Sequence, residues 1–423
     1  MIKVKSIIKA LQDKGVNKWL ISENNTQSYE QFFVLHKLET TRKVNTNEIY
    51  VTIYKDFEEN NTKYLGNYSF IISKDLSKKE LNELIDDALY GANFVKNEYY
   101  ELVKSDKKRS FLDKNKPQNP FDLLQEIASI YIDSSNEKCM FNSLELFYKE
   151  QKIHLINSEG VNYKKDVFSV IVEAIPSYTE EENKTELYRM FTYDNINFDK
   201  IKEDSKNAIE DILMRAKAIK NPCNESVNII LKDENVKALF GELSSTLNYP
   251  SVYSKRNLKQ IGDNLQENPI EHLNISLIPS RKADFFDSDG VLLKETPIIS
   301  EGKIIDYFGN NRFAYYLGMK PNGNLTKLKV KVGKTKIDNL KKEKYIEIID
   351  MSGIQFDLYA GYIGGEVRLA NYYDGNNIYP ISGFSFSGNL NDCINTLKLS
   401  KEITEINGYV GPKYVLLKDM EIN

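Results

Sequence analysis

Hydrophobic residues in the first part of the chain follow two different periods, which predicts a mixture of strands and helices. A short helix is expected first, followed by segments rich in β-branched and aromatic residues at 19–22, 49–54 and 68–72, a composition typical of strands. Ser77 and Glu80 form a Ser-x-x-Glu capping box, and apolar residues at helical spacing follow them. We therefore expect an amphipathic helix after the third strand.

The middle of the first half repeats this alternation. Residues 105–120 are rich in Lys, Asn and Pro and are predicted to form a loop, and residues 121–131 a helix. Strands are then predicted over three segments: residues 144–148, 152–156 and 167–174. Between the last two, residues 157–160 end in glycine, as tight turns do.

A long helix is predicted to close the first half, with Asp199 as its N-cap. Its apolar face comprises Ile201, Ala208, Ile209, Ile212, Leu213, Ala216 and Ile219. Asn221-Pro222 is expected to end this helix, since the residue before a proline disfavours helical geometry. We place a domain boundary there, giving domains of residues 1–221 and 222–423.

The second half begins with a predicted strand at residues 227–231 and a buried amphipathic helix. The apolar residues of that helix are Val236, Leu239, Phe240, Leu243 and Leu247. Asp289-Gly290, Glu301-Gly302 and Asp374-Gly375 each lie between strand-like segments and predict hairpins. The predicted fold class is α+β: an N-terminal α/β sandwich-like domain, then a mainly β C-terminal domain with a few helices.

Composition narrows the functional classes. The formal net charge of −4 and the interspersed lysines and acidic residues argue against a nucleic-acid surface. Cys139, Cys223 and Cys393 are far apart in the sequence, which favours a reducing compartment. The charged N-terminus does not resemble a signal peptide, and no apolar run reaches the roughly 20 residues that cross a bilayer. We expect a cytoplasmic protein that binds neither nucleic acid nor membrane.

Residues with catalytic or ligand-binding chemistry are sparse, and a structural role is favoured for each. His36, His154 and His272 lack neighbours at metal-ligand spacing, and Ser244 and Ser245 lack an adjacent base. Residues 361–365 contain three glycines but no phosphate-loop ending, so a bulge or a close backbone contact is expected. Asp284, Asp287 and Asp289 do not have calcium-loop spacing and are interpreted as turn residues.

Several segments, taken in order, resemble the TldD/PmbA family, described first as modulators of DNA gyrase and later as peptidases. The matching stretches are residues 154–160, 286–290, 296–302, 311–318, 379–390 and 411–412. They span essentially the whole chain, and their shared order makes the resemblance specific. The family implies an α+β fold and two kinds of subunit: TldD-type subunits carry a His-Glu-x-x-x-His zinc motif, and TldE/PmbA-type subunits lack it.

The resemblance places a degenerate metal site on the helix near residue 240. Gly241 and Thr246 replace the two histidines, whereas Glu242 remains. Residues 402–411 contain no cysteine that could act as the further ligand, and Cys393 is not a plausible substitute. The resemblance therefore implies a TldE/PmbA-type subunit with no catalytic residues, metal or cofactor of its own. Zinc is expected on a TldD-like partner.

The expected function is that of the non-metal subunit in a heterodimeric peptidase acting on peptides or unfolded segments. Peptides are expected to bind by strand addition, with residues 361–365 and 383–388 as candidate contacts. Two alternatives stay open: a homodimeric peptide-binding or scaffold protein, and a self-sufficient hydrolase using Ser245 or Glu242. The chain alone is expected to be inactive.

Overall fold

The computed structural model describes residues 3–181, 183–257 and 259–423. The first half contains, in order, α1 (Val4–Asp13), β1 (Lys18–Val34), β2 (Lys37–Glu59), β3 (Thr62–Ile72), α2 (Lys78–Ala92), β4 (Lys108–Leu112), α3 (Pro120–Asp133), β5 (Cys139–Asn157), β6 (Asn162–Glu180), β7 (Asn183–Glu186), β8 (Arg189–Tyr193) and α4 (Phe198–Lys217). No helix in the described part of the chain has the length and apolarity needed to span a membrane.

The second half is richer in short strands. It contains β9 (Ile219–Lys220), β10 (Val227–Lys232), α5 (Glu234–Ser245), α6 (Tyr249–Tyr253), β11 (Ile275–Ile278), β12 (Thr296–Ser300), β13 (Lys303–Ile304), α7 (Asn311–Tyr316), β14 (Lys327–Val330), α8 (Ile337–Leu340), β15 (Tyr345–Asp357), β16 (Tyr362–Tyr373), β17 (Ile378–Ser382), β18 (Phe384–Asn389), α9 (Leu390–Thr396), β19 (Lys398–Leu399), β20 (Ile403–Ile406), β21 (Tyr409–Pro412) and β22 (Tyr414–Ile422). The mixed α+β composition confirms the predicted fold class.

The first sheet has the order β3-β2-β1-β5-β6-β4, with β7 and β8 also pairing with β6. Side chains of one face, including Ile21, Val51 and Leu146, pack under the helices α1 to α4. Because successive side chains of a strand point to opposite faces, Leu20 and Leu155 lie on the other face. There they contact Phe286 of the second half. The first sheet is thus covered by helices on one side and by the second half on the other.

Two further sheets form the second half. One of them has the strand order β15-β10-β22-β18-β16, and β16 also pairs with β15, which closes the sheet. Strands β17 and β9 extend it beyond β16. The other has the order β13-β12-β11-β14-β21-β20. Helix α5 contacts β15, β10 and β14, so it lies between these two sheets. Its apolar face therefore joins the main core of the second half.

Ion pairs and backbone contacts join the two halves near the aspartates at 284–289. Lys165 Nζ lies 2.6 Å from Asp284 Oδ1, and Arg281 Nη1 lies 2.9 Å from Asp194 Oδ1. Arg281 also donates to the Phe168 carbonyl at 2.8 Å. These charge-assisted bonds fix where strand β6 sits against the loop that follows β11.

Most predicted elements are confirmed, including the capping box of α2, in which both bonds between Ser77 and Glu80 form. The prediction that residues 105–120 are entirely loop was wrong, because β4 pairs there with β6, although its mostly exposed residues show no alternating strand pattern. The segments 144–148 and 152–156 belong to one strand, β5.

The helix before the midpoint differs from its prediction at both ends. Its N-cap is Asn197, whose side chain accepts the backbone N–H groups of Asp199 and Lys200. The helix stops at Lys217, and exposed Ile219 instead pairs with Ile381 in the second sheet. The division of domains after residue 221 stays a prediction.

Two of the three predicted hairpins are present in the structure, and the third is not. Glu301-Gly302 joins β12 to β13, and Asp374-Gly375 joins β16 to β17, as expected. Asp289-Gly290 lies in a turn closed by a single bridge between Phe286 and Leu292, so the hairpin predicted there is wrong.

Candidate functional site

Helix α5 carries the three positions that the sequence identified as a degenerate metal site. Its buried side chains, which include Val236, Phe240 and Leu243, anchor it in the core. Gly241 is partly exposed within the helix, and Glu242 is fully at the surface. Thr246 is the C-cap, just beyond the last helical residue. These positions therefore lie on or next to a helix that is anchored in the core.

The hydroxyl groups at the end of α5 form hydrogen bonds within their own helix. The Thr246 hydroxyl donates to the Leu243 carbonyl at 2.9 Å, and the Ser245 hydroxyl donates to the Glu242 carbonyl at 2.8 Å. These hydroxyls satisfy the end of the helix and are not directed at a catalytic base.

Ser244 is buried, and its hydroxyl lacks a hydrogen-bond partner within the described residues. No histidine or carboxylate contacts it there. A nucleophilic serine needs such a base, so neither serine of this helix has the surroundings of a hydrolase nucleophile.

Zinc does not fit the residues at this helix. Residues 3–181, 183–257 and 259–423 contain no group of three or more His, Cys, Asp or Glu side chains arranged to hold a metal ion. His154 lies in β5 with Nε2 3.1 Å from Asn162 Oδ1, and burial lowers its pKa. His36 lies in the turn between β1 and β2, and His272 precedes β11. Gly241 has no side-chain atom that could bind a metal ion.

Cys393 is equally unsuited to a ligand role. It lies in α9, is 3% exposed, and its Sγ is 3.3 Å from the Met420 sulfur. Burial raises the pKa of its thiol to about 12, so the thiolate that binds metals is strongly disfavoured.

The described residues enclose a cavity of about 320 Å³ between the two halves of the chain. Its lining comprises Leu20, Tyr54, Tyr100, Leu102, Val103, Asn157, Asp289, Asn310, Asn311, Arg312 and Phe313. Strands β1 and β2 supply one wall, the segment after α2 another, and the start of α7 the third. Of these residues, only Asp289 was considered for chemistry from the sequence, and it was interpreted as a turn residue. Asn157 and residues 311–313 lie in stretches that carry the family resemblance.

Two similar turns build the floor of this cavity. Asn157 Oδ1 accepts the N–H groups of Glu159 and Val161, and Asp287 Oδ1 accepts those of Asp289 and Val291. Each turn ends in a glycine with positive φ, 91° at Gly160 and 90° at Gly290. The second turn presents Asp289 to the cavity. The aspartate cluster was therefore the available sequence signal for this site.

The aspartates of the cluster have separate roles. Asp284 pairs with Lys165 and Arg281. Asp287 is 7% exposed and also accepts the Asn324 N–H at 3.1 Å, yet burial raises its pKa to about 6. Asp289 accepts the Asn311 N–H at 3.1 Å, and burial raises its pKa as well. Only Asp289 lines the cavity between the halves.

A second cavity, of about 300 Å³, lies beside the same turn. Lys165, Asp284 and Asp287 line it, but the first two are paired with each other and the third is held by backbone N–H groups. Its charged groups are thus already satisfied within the chain.

Helix α6 connects the α5 positions to the cavity between the halves. Asn248 caps α6 and forms a bridge with Phe308, and Tyr253 packs against Phe313 with ring centroids 5.4 Å apart. Phe313 lines that cavity, so the end of α5 and the cavity are joined by one short, packed segment.

The chain is similar to known proteins in the sequence of its second half and in its overall fold. Residues 224–423 match the family described as the PmbA/TldA metallopeptidase C-terminal domain. None of the curated proteins matches the sequence. The chain has a fold similar to TldE from Thermococcus kodakarensis, with a TM-score of 0.78 at 14% identity over 99% of both chains.

Two other solved structures share the fold. A protein named as a candidate modulator of DNA gyrase from Bacteroides thetaiotaomicron has a TM-score of 0.77 at 17% identity, covering 100% of both chains. A protein from Thermotoga maritima with a similar description has a TM-score of 0.74 at 13% identity over 99% of both chains. Residues 224–423 thus match the C-terminal domain of the PmbA/TldA metallopeptidase family, and the whole chain shares its fold from end to end with these three structures.

Proposed function

We propose that this chain is the non-metal, TldE-type subunit of a two-component zinc peptidase that acts on peptides or unfolded segments. The observation that carries the proposal is α5, which lies in the family's C-terminal domain but has Gly241 and Thr246 where histidines would be needed. The fold similarity to TldE supports the same assignment. In this proposal a TldD-like partner supplies zinc and the general base, in the cytoplasm.

The contribution of this chain is structural and binding, because its own α5 cannot hold the metal. Glu242 has no metal-bound water to deprotonate, and its side chain is exposed. We assign it no catalytic role. The chain would form part of the wall around the partner's site and hold the substrate's backbone.

The glycine-bearing segments are poor sites for adding a peptide strand. Residues 362–365 of β16 pair with both β15 and β18, and a Cβ on Gly364 would lie 2.9 Å from the Phe386 carbonyl oxygen. Residues 384–387 of β18 lie between β16 and β22. Their backbone groups are already paired, so a bound peptide strand has to use an outer strand such as β3 or β20.

The test is native mass spectrometry of the chain purified from its own cells, with zinc measured on each separated subunit. The proposal expects a heterodimer whose zinc stays with the partner. A peptide-cleavage assay on the same complex expects Glu242→Gln to retain full activity. Zinc retained on this chain would contradict the proposal.

The two alternatives predict different outcomes in the same measurements. A homodimer without zinc or a TldD-like partner would favour the peptide-binding or scaffold protein. Cleavage by the isolated chain that resists chelators and is lost in Ser245→Ala or Glu242→Ala would favour a self-sufficient hydrolase.

A further inference from the structure

The cavity between the halves holds two half-buried side chains of opposite charge, Asp289 and Arg312. Neither lies within ion-pair distance of the other or of any other charged group in the described ranges, although the charge of Arg312 partly offsets the rise that burial causes in the pKa of Asp289. By contrast, Arg189, which is also half-buried, pairs with both Asp211 and Asp350. Because leaving a partly buried charge unpaired is costly, this pair indicates a site that a ligand completes.

The acidic end of the cavity is fixed by the backbone and flanked by tyrosines. One carboxylate oxygen of Asp289 accepts the Asn311 N–H at 3.1 Å, which holds the side chain in place. Tyr54 and Tyr100 contact each other edge to face, with centroids 6.5 Å apart, and both interact electrostatically with Asp289. A carboxylate beside tyrosine hydroxyls and ring edges suits an ammonium group, which needs several acceptors.

The basic end is equally fixed. Arg312 donates through Nη1 to Asn97 Oδ1 at 3.0 Å, and its guanidinium lies 4.8 Å from the Phe313 ring centroid. Stacking and one hydrogen bond orient the planar group but leave further N–H donors free. A guanidinium held in this way suits a carboxylate, which accepts two parallel hydrogen bonds.

The rest of the wall is mixed, with the amides of Asn157, Asn310 and Asn311 beside a group of apolar side chains. Leu20, Leu102, Val103 and Phe313 supply hydrocarbon surface, and the volume of about 320 Å³ is at the small end of the range for ligand pockets. A bare cation would leave Arg312 without a partner, and a simple anion would face Asp289. A ligand that carries both charges and an apolar group would match the carboxylate, the guanidinium and the hydrocarbon part of the wall together.

We infer that this cavity binds a small zwitterion with an apolar side chain, either a free α-amino acid or a dipeptide. Its ammonium group contacts Asp289, its carboxylate contacts Arg312, and its side chain packs on the hydrocarbon part of the wall. The inference concerns this chain alone and does not depend on a zinc-bearing partner.

Isothermal titration calorimetry of the purified chain tests this with L-leucine and L-leucyl-L-leucine. At least one of the two is expected to bind, and the stronger one shows which distance between ammonium and carboxylate fits the cavity. Acetylating the amine or amidating the carboxylate of that ligand removes one charge and is expected to weaken binding at least tenfold in each case.

Two variants test which charged group of the ligand Asp289 and Arg312 each contact. Asp289→Asn keeps an acceptor for the Asn311 N–H, and Arg312→Gln keeps a donor for Asn97. Each variant is expected to weaken binding of the unblocked ligand at least tenfold. It is expected to have little further effect on binding of the ligand whose matching charge is already blocked. Arg368→Gln is the control, because exposed Arg368 likewise donates to one side chain, Ser352, outside the cavity. It is expected to bind as the parent does.

Three outcomes would overturn the inference: no binding of either ligand at 10 mM, roughly ten thousand times weaker than a Kd of 1 µM; equal binding of blocked and unblocked ligands; or unchanged binding in both cavity variants. A folded circular dichroism spectrum of each variant separates lost binding from lost structure. Since the isolated chain is used, failure here leaves the heterodimer proposal standing, and failure of that proposal leaves this one standing.

Discussion

Gly290 of the second half lies directly against Val161 of the first half. A Cβ built on Gly290 would come within 2.9 Å of Val161 Cγ1, closer than real Cβ contacts allow. The contact joins the turn that presents Asp289 to the turn that begins at Asn157. The floor of the cavity therefore depends on a residue without a side chain.

Gly290→Ala is expected to lower the free energy of unfolding by about 2–5 kcal/mol, measured by urea denaturation. The positive φ contributes about 1–2 kcal/mol and the overlap with Val161 about 1–3 kcal/mol. Gly262→Ala is the control, because Gly262 has a φ of 100° but no atom within 4 Å of the added Cβ. Equal losses in the two variants would show that the contact with Val161 contributes nothing.

The Asp287 carboxyl is expected to make stability depend on pH. Burial raises its pKa from 3.8 to about 6, so the folded chain holds this proton more tightly than the unfolded chain. Its contribution to the free energy of unfolding is therefore largest below the unfolded pKa, falls as pH rises toward 6, and is constant above that. The full change is about 2–3 kcal/mol.

This change is measured by urea denaturation of the parent and of Asp287→Asn between pH 3.5 and 7. That range roughly spans the unfolded and folded pKa values of Asp287. As the pH rises through this range, the free energy of unfolding of the parent is expected to fall relative to that of Asp287→Asn. Asp374→Asn provides a control of opposite sign, because N–H groups of Asn377 and Asn376 lower the pKa of exposed Asp374. A difference for Asp287→Asn that is independent of pH would contradict the prediction.

Gly241→Ala is expected to raise the free energy of unfolding by about 0.5–1 kcal/mol. Gly241 lies inside α5 with no neighbour within 4 Å of an added Cβ, and alanine restricts the unfolded chain. Thermal and urea denaturation measure this. Gly66→Ala is expected to have the opposite sign, since its Cβ would meet the Ala92 carbonyl oxygen. A loss of stability in Gly241→Ala would mean that α5 has a neighbour in solution.

All three thiols are expected to react slowly in the folded protein. Cys139, Cys223 and Cys393 are free and buried, and burial raises the pKa of Cys393 to about 12. Reaction with a disulfide reagent at pH 8 should be at least about 100-fold slower for the folded chain than in guanidinium, where the thiols have ordinary pKa values. A thiol that reacts rapidly in the folded chain would contradict the burial of that cysteine.

Local signals predicted the elements that depend on local chemistry. The capping box at Ser77 and the apolar spacing from Val236 to Leu243 each specify a helix from neighbouring residues. Strand β4 was missed because its conformation is set by its pairing with β6 and not by its own residues. Asn197 replaced Asp199 as N-cap because either side chain can cap, and the backbone direction before α4 decides between them.

The site was less predictable than the fold. Tyr54, Tyr100 and Arg312 come from three distant segments, so only the way the halves pack brings them to Asp289. The sequence did show the aspartate cluster, but acidic turn residues are common and their burial depends on tertiary structure. By contrast, Gly241, Glu242 and Thr246 were recognisable from family resemblance, and their metal-free role remains a prediction.

Strand β22 has a consequence for the order in which the chain folds during synthesis. Residues 414–422 pair with β10 on one side and β18 on the other, so this late segment is central to its sheet. Strand β10, made nearly two hundred residues earlier, lacks its antiparallel neighbour until residue 420 has left the ribosome. The first sheet needs nothing beyond β8 and is free to form long before. Nascent chains should therefore carry a finished first sheet beside an unfinished second one.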